Sequence, residues 1–222
     1  MGIKIAIDGP SGAGKSTISK TLAGRLGYIY VDTGALYRTV ALGCMRAGAD
    51  LESAEAVARC LPSLDISLTH IDGVQRVLLG GEDVSEHIRT PEISLWASKL
   101  SALPAVRAFL LDTQRAIAET RDVVMDGRDI GTVVLPDAAV KIFLTAAPGD
   151  RARRRYEEML SKGAECDYET VLREVMERDE RDRTRSASPT VKAADADMID
   201  TTGNTFEQSV EQIYAHVKKR LL

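Results

Sequence analysis

Apolar and polar positions follow two rhythms along this chain. Ile3 to Ile7 is a short, nearly continuous apolar run closed by Asp8, the pattern of a buried strand. From Gly14 to about Leu26, Ile18, Leu22 and Leu26 recur every four residues, which predicts a helix with one apolar face, stopped at Gly27. Tyr28–Val31 reads as a second strand, and about Ala35 to Ala47 as a second helix ending at Gly48. Strand–helix–strand–helix order points to parallel strands joined by helical crossovers.

The rhythm changes over 64–80. Leu64, Ile66 and Leu68 alternate with Asp65, Ser67 and Thr69; Asp72-Gly73 follows, then the run VQRVLL and Gly80-Gly81. Two such runs joined at Asp-Gly predict an antiparallel hairpin. Inside an α/β chain it marks an inserted subdomain, placed at about 61–92. Residues 92–120 read as helical with a break near Pro104, and Val123–Met125 and Val140–Leu144 as two further strands. Arg151–Lys162 and Glu169–Arg185 read as charged helices, and Met198–Ile199 as a last strand. Phe206, Val210, Ile213, Val217 and Leu221 share one face of a final helix.

Composition narrows the class. With 222 residues the chain is expected to form one domain, 1–222, with a sizeable insert. A net charge of −4 and 5% aromatics argue against a general nucleic-acid binder, which needs basic surface and stacking platforms. Three cysteines, Cys44, Cys60 and Cys166, and three histidines, His70, His87 and His216, are too scattered for a disulfide frame or a zinc site. The start, MGIKIAIDGPSG, has no secretory h-region, and no stretch is long and apolar enough to span a bilayer. A cytoplasmic monomer without membrane or nucleic-acid partners is expected.

The chemistry starts at Gly9-Pro10-Ser11-Gly12-Ala13-Gly14-Lys15-Ser16, which fits GxxxxGK[ST] after a strand and at the start of a helix. Its glycines let backbone N–H groups approach phosphate oxygens, and the helix N-terminus adds positive partial charge. Lys15 can reach the β- and γ-phosphates, and the Ser16 hydroxyl can bind Mg²⁺. The motif indicates a nucleoside triphosphate but not what is done with it.

Arginines gather where such a ligand would lie. A second strand placed beside the first would bring Asp32–Arg38 to the carboxyl end of the sheet, where ligands bind in open parallel sheets. Gly127–Gly131 follows the Val123–Met125 strand in the same way. Arg151–Arg155 carries four arginines in five residues, and Arg178–Arg185 four in eight. A solvated helix face would also give such runs. An acidic chain that concentrates arginine, almost without lysine, in two segments instead suggests bidentate phosphate contacts and a mobile flap over 148–186. No nucleophile–base pair stands out, so the attacking group would belong to the substrate; a phosphate oxygen needs no strong base. Asp8 and Asp126, each ending a strand, are candidates to support the metal.

Taken in order, the segments IAIDGPSGAGKST, DTGALYR, GEDVSEHIRT, ASKLSALPAVR, DGRDIGTVV, PDAAVKIFLTA and ERDERDRTRSASP resemble bacterial cytidylate kinases, the (d)CMP kinase branch of the nucleoside monophosphate kinases. The resemblance runs over essentially the whole chain. It implies an α/β fold: a P-loop NTPase core with a parallel sheet flanked by helices, a small antiparallel CMP-binding insert and an arginine-rich helical lid. It implies ATP as donor, Mg²⁺ as cofactor and CMP or dCMP as acceptor. ATP would be bound by Gly9 to Ser16 with Thr17 and, from the lid, Arg154, with Arg151 and Arg155 as further candidates. Ser98, Arg107 and Asp129 fall where the family reads cytosine: Asp129 can accept from the N4 amino group, where uracil presents an acceptor. Arg38, Arg128 and Arg185 match the phosphate-holding positions, and Arg178 and Asp182 positions near the sugar. Lys15, Arg128, Arg154 and Arg185 would carry the catalytic charge. Thr33 stands where serine is usual, and Ser16 where some relatives have glycine. A small-molecule kinase acting on a substrate such as shikimate, and a GTPase-type module, remain alternatives; the first needs no base reader, and no guanine-reading NKxD motif supports the second.

Overall fold

A computed structural model of the chain describes residues 2–71, 73–161 and 163–221. The first apolar run forms β1 (Lys4–Asp8) and the four-residue spacing forms α1 (Lys15–Leu26), which buries Ile18 and Leu22. After β2 (Ile29–Asp32), the Asp32 side chain accepts from the Ala35 amide and so caps α2 (Thr33–Arg46). A short helix follows that no spacing in the sequence announces, α3 (Ala54–Cys60). Seven residues are too few for a periodic signal, and only its Ser53 cap marks it.

The change of rhythm is real. β3 (Ile66–Ile71) and β4 (Val74–Leu79) pair antiparallel from Ile66↔Leu79 to Ile71↔Val74, and β5 (Glu82–Asp83) adds a short third strand. Asp72, half of the expected Asp-Gly turn, lies outside the described residues. Leu64, Ile66 and Leu68 turn inward as alternation requires, onto a core shared with α2, α3 and the next two helices. Those are α4 (Pro91–Leu100) and α5 (Pro104–Thr120). The break expected near Pro104 is thus a new helix start, where proline loses no hydrogen bond.

The rest runs β6 (Val123–Gly127), β7 (Val140–Thr145), α6 (Pro148–Ser161), α7 (Tyr168–Thr184), β8 (Asp197–Asp200) and α8 (Phe206–Leu221). Lys162, the expected end of the first charged helix, lies outside the described residues. α8 buries Val210, Ile213 and Val217, but Phe206 at the start of its stripe is exposed. Among the described residues no helix is long and apolar enough to cross a membrane.

All five strands of the main sheet are parallel, in the order β2-β6-β1-β7-β8. This corrects one expectation: the second strand is not beside the first. β6 lies between them, pairing Asp8↔Gly127 on one side and Asp32↔Asp126 on the other. A strand contributed some 90 residues later in the chain gives no local signal of its place. The consequence is that Asp8, Asp126 and Asp32 end neighbouring strands at one edge. Ile5 and Ile7 face α1 and α8, while Ala6 faces the α5 side, so β1 is buried on both faces. α6 and α7 share a small cluster of Ala152, Val171 and Val175, with the Tyr156 and Tyr168 rings edge to face at 6.0 Å.

Candidate active site

Gly9–Ser16 carries the chain from β1 into α1. Gly12 and Gly14 take φ of +74° and +84°, conformations strained for any side chain, and so curl the loop round the helix N-terminus. Lys15 folds back over this loop and donates from Nζ to the Pro10 carbonyl at 2.6 Å. It is buried. Burial and then the Arg128 charge push its ammonium well below the ordinary lysine value, against the pull of Asp126 and Asp8. Thr17 is exposed on the first turn.

The two strand-end aspartates have different duties. Asp8 accepts from the Ile130 and Gly131 amides at 2.7 Å each, which fixes the turn after β6. Asp126 accepts from the Ser16 hydroxyl at 2.9 Å and from the Tyr30 hydroxyl at 2.8 Å. Burial raises both carboxyls to about 6; for Asp126 the Asp32 charge adds to it. A hydroxyl beside a carboxylate is a hard oxygen donor set suited to a small dication. Among the described residues no three His, Cys, Asp or Glu side chains converge as a cage. A bound ion would therefore complete its shell from phosphate and water.

Arginines meet beyond this point. Arg128, just after β6, donates from Nε to Oδ2 of Asp182 at 3.0 Å, and Arg178 lies 3.9 Å from the same oxygen. Burial pushes Arg178 down to about 10, helped by the charges of Arg128, Arg155 and Arg38 and opposed by Asp182. Three guanidiniums, those of Arg128, Arg178 and Arg185, thus bear on the buried Asp182 carboxylate, and Arg38 and Arg155 press on Arg178 from beyond it. The Nε atoms of Arg38, Arg155 and Arg178 are buried without a hydrogen-bond partner. Arg38 spends one Nη on Asp32 at 2.7 Å. Such a cluster is short of negative charge and rich in donors, the state an incoming phosphate corrects.

The remaining expected residues divide. Arg107 and Asp129 form a buried ion pair, with the Arg107 guanidinium 5.7 Å from the centre of the Tyr37 ring. Ser98 instead lines a cavity of about 440 Å³ with Ser11, Arg155 and Arg178. Arg107, Tyr37 and Gln114 line a second cavity of about 210 Å³. The serines that touch Arg107 are Ser101 and Ser188. Thr33 is buried and gives its hydroxyl proton to the Asp126 carbonyl at 2.8 Å. Arg154 lies beside Gly14 and donates to the Thr201 carbonyl at 2.8 Å. Arg151 is buried, donating to the Ser11 and Ala146 carbonyls and pairing with Asp179 at 2.6 Å, so it ties the loop to α6 and α7. Arg185 donates to Ser101 and Ser188.

Sequence reasoning missed Asp32, Tyr30, Ser101 and Ser188. Asp32 had a signal, since it opens DTGALYR one turn and a half before Arg38. The serines had none, because a serine's partners are set by tertiary contacts and not by spacing.

The cytidylate kinase family model matches residues 5–219. The chain is 53% identical over 217 residues to a cytidylate kinase of Caldanaerobacter subterraneus subsp. tengcongensis, covering 98% of this chain and 95% of that one. It is 47% identical over 218 residues to a cytidylate kinase of Pseudomonas aeruginosa, covering 97% and 95%. Among solved structures, an uncharacterized protein from Eubacterium ventriosum aligns with a TM-score of 0.54 at 14% identity, over 97% of this chain and 98% of that one. That likeness concerns the fold alone.

Proposed function

The chain belongs to the cytidylate kinase family, and on that premise we propose that it transfers the γ-phosphoryl group of ATP to CMP or dCMP, giving ADP and CDP or dCDP. In this reading the loop from Gly9 to Ser16, with Thr17, receives the phosphates of ATP. Lys15 neutralises charge on the β- and γ-phosphates. Mg²⁺ carried with ATP would be held at Ser16, with Asp126 behind it, and supplies Lewis-acid charge neutralisation. Arg154 reaches over ATP from a lid spanning 148–186.

The acceptor occupies the arginine cluster. Arg38, Arg128 and Arg185 hold its phosphate, and Arg178 and Asp182 lie beside its sugar. Ser98, Arg107 and Asp129 read the base, and the hairpin region 61–92 closes that end as a CMP-binding subdomain. Thr33 keeps lone pairs for the substrate on a hydroxyl whose proton is already committed. The acceptor's phosphate oxygen attacks, so the chain needs no general base; its residues align two anions and neutralise them. Alignment alone can remove about 7–11 kcal/mol from such a barrier. The same reading carries a cytoplasmic monomer with no nucleic-acid or membrane partner.

One observation carries it: Arg128, Arg178 and Arg185 all bear on a single buried carboxylate, Asp182, while Arg38 and Arg155 press on Arg178, and Arg128 and Arg178 on Lys15. Two nucleotides meeting phosphate to phosphate supply the missing negative charge. The test is a coupled ADP-release assay with Mg²⁺ and ATP against CMP, dCMP, UMP, AMP, GMP, shikimate and no acceptor. Release should be fastest with CMP and dCMP, and Lys15→Ala should slow it by orders of magnitude while the protein stays folded. A different preferred acceptor, or release no faster than without one, overturns the reading.

A further inference from the structure

Arg107 and Arg185 come from distant parts of the chain, one near the start of α5 and one just past α7. A closed ring of four hydrogen bonds joins them through two serines. Arg107 donates from Nη1 to the Ser101 carbonyl at 3.1 Å and from Nε to the Ser188 hydroxyl at 3.0 Å. Arg185 donates from Nη1 to the Ser101 hydroxyl at 3.1 Å and from Nε to the Ser188 carbonyl at 2.8 Å. Each serine thus gives its carbonyl to one arginine and its hydroxyl to the other, in opposite senses.

Two observations say that the ring is more than packing. Among the described residues Ser188 alone of the non-glycines has a positive φ, +47°. A side chain persists in that conformation only where its surroundings hold it, and such strain gathers at functional sites. Arg107 spends its Nη2 on Asp129, whereas the Nη2 of Arg185 is buried with no hydrogen-bond partner. The ring therefore fixes where the two remaining forks point, one at the acid expected to read the base and the other at open donor capacity.

We propose that Ser101 and Ser188 form a clamp that sets the spacing and orientation of Arg107 relative to Arg185, so that reading the pyrimidine is mechanically coupled to holding its phosphate. Both are positioning residues, touching the arginines and not the nucleotide, and the proposal rests on the CMP kinase reading above. The choice of serine is physical. Two like-charged guanidiniums held together repel, and burial together with the Arg107 charge lowers the Arg185 pKa. Carboxylates in place of the serines would relieve this but would also supply the negative charge that the substrate phosphate should bring. Neutral acceptors satisfy the donors and leave the site cationic. Ser188 also lies four residues past the end of α7, so a shift of that helix end reaches Arg107 through Ser188.

Ser188→Gly keeps the left-handed backbone without a Cβ and deletes the hydroxyl. Ser101→Ala deletes the other hydroxyl and Ser101→Thr restores it. Steady-state kinetics with CMP and UMP at saturating Mg²⁺ and ATP, with thermal melts, test the clamp. Loss of a charge-assisted bond should raise the KM for CMP roughly tenfold in Ser188→Gly and in Ser101→Ala, with the KM for ATP within about twofold of wild type. The CMP-to-UMP preference should fall, and the melting temperature of Ser188→Gly should hold or rise. Ser101→Thr should recover CMP affinity, and the double variant should cost less than the sum of the singles, because either one opens the ring. Wild-type KM and selectivity in Ser188→Gly overturn the clamp. So does an equal rise in both KM values with a lower melting temperature, which marks general loss of structure. A wild-type chain that transfers nothing to CMP removes the underlying reading, and the clamp with it.

Discussion

The Ser16 hydroxyl donates to Oδ2 of Asp126 at 2.9 Å, fastening the first turn of α1 to the end of β6. Tyr30, from β2, holds the other carboxylate oxygen. Three neighbouring elements thus aim one hydroxyl at the mouth of the phosphate loop. Removing a partner that orients a metal ligand typically lowers metal affinity by about 10–100-fold, and removing the ligand itself should cost at least the lower figure. Ser16→Ala should therefore raise the Mg²⁺ concentration for half-maximal activity roughly tenfold at fixed ATP. Activity titrated against free Mg²⁺ checks this, and an unchanged midpoint would remove Ser16 from the metal's surroundings.

Asp129 pairs with Arg107 where both are nearly buried. Removing one partner leaves a buried charge uncompensated, which costs about 3–5 kcal/mol. Asp129→Ala should lower the melting temperature and, separately, abolish the preference for CMP over UMP. Asp129→Asn keeps the volume and one acceptor, so it should melt higher than the alanine variant yet still lose selectivity. Ratios of kcat/KM for the two nucleotides decide; unchanged ratios take Asp129 out of the base reader.

The sequence made the α/β alternation, the hairpin and the phosphate loop legible because each rests on local spacing: Ile18 and Leu22 on a helix face, Leu64 to Leu68 on a strand face, glycines and Lys15 at fixed intervals. It left the position of β6 open, since strand order depends on contacts between residues far apart in the chain. The same limit applies at the site. Ser98, Arg107 and Asp129 could be named, but that Arg107 and Ser98 line different cavities, and that Ser101 and Ser188 lie between the arginines, follows from how α4, α5 and the end of α7 pack.

Arg128 serves two partners, Asp182 through Nε and the Gly127 carbonyl through Nη1 at 3.3 Å. Lysine keeps the charge but loses the planar fork, so it cannot hold Asp182 and a phosphate together. Arg128→Lys should raise the KM for CMP about tenfold or more and lower kcat as well, with the KM for ATP little changed. Full kinetics on both substrates test this; a silent substitution counts against phosphate contact.

Asp8 and Asp126 make stability fall with rising pH over a defined range. In the fold both titrate near 6, above the 3.8 of an unperturbed carboxyl. Between those values the native state holds more protons than the unfolded chain, so the gradient of unfolding free energy with pH is negative there. Their contribution is complete below pH 3.8 and lost as pH rises through about 6. Thermal melts without nucleotide or Mg²⁺ should show a higher midpoint at about pH 5 than at about pH 7. Asp126→Asn should flatten that slope. A midpoint that climbs through this range would contradict the raised values.

Gly9 and Gly48 both take positive φ, +148° and +69°, but only one is hemmed in. A Cβ on Gly9 would run into the Leu144 carbonyl oxygen of β7, whereas a Cβ on Gly48 meets nothing within 4 Å. At Gly48 alanine pays only backbone strain, about 1–2 kcal/mol. At Gly9 the collision is with strand backbone that is hydrogen-bonded in the sheet and cannot step aside. It would have to push the phosphate loop off the end of β1. Gly48→Ala should therefore melt a few degrees below wild type and keep its activity. Gly9→Ala should melt far lower and lose ATP affinity in whatever fraction still folds. Melting curves and ATP titrations of the two variants side by side separate these outcomes, and equal behaviour would show that the close approach of the loop to β7 is not what demands glycine there.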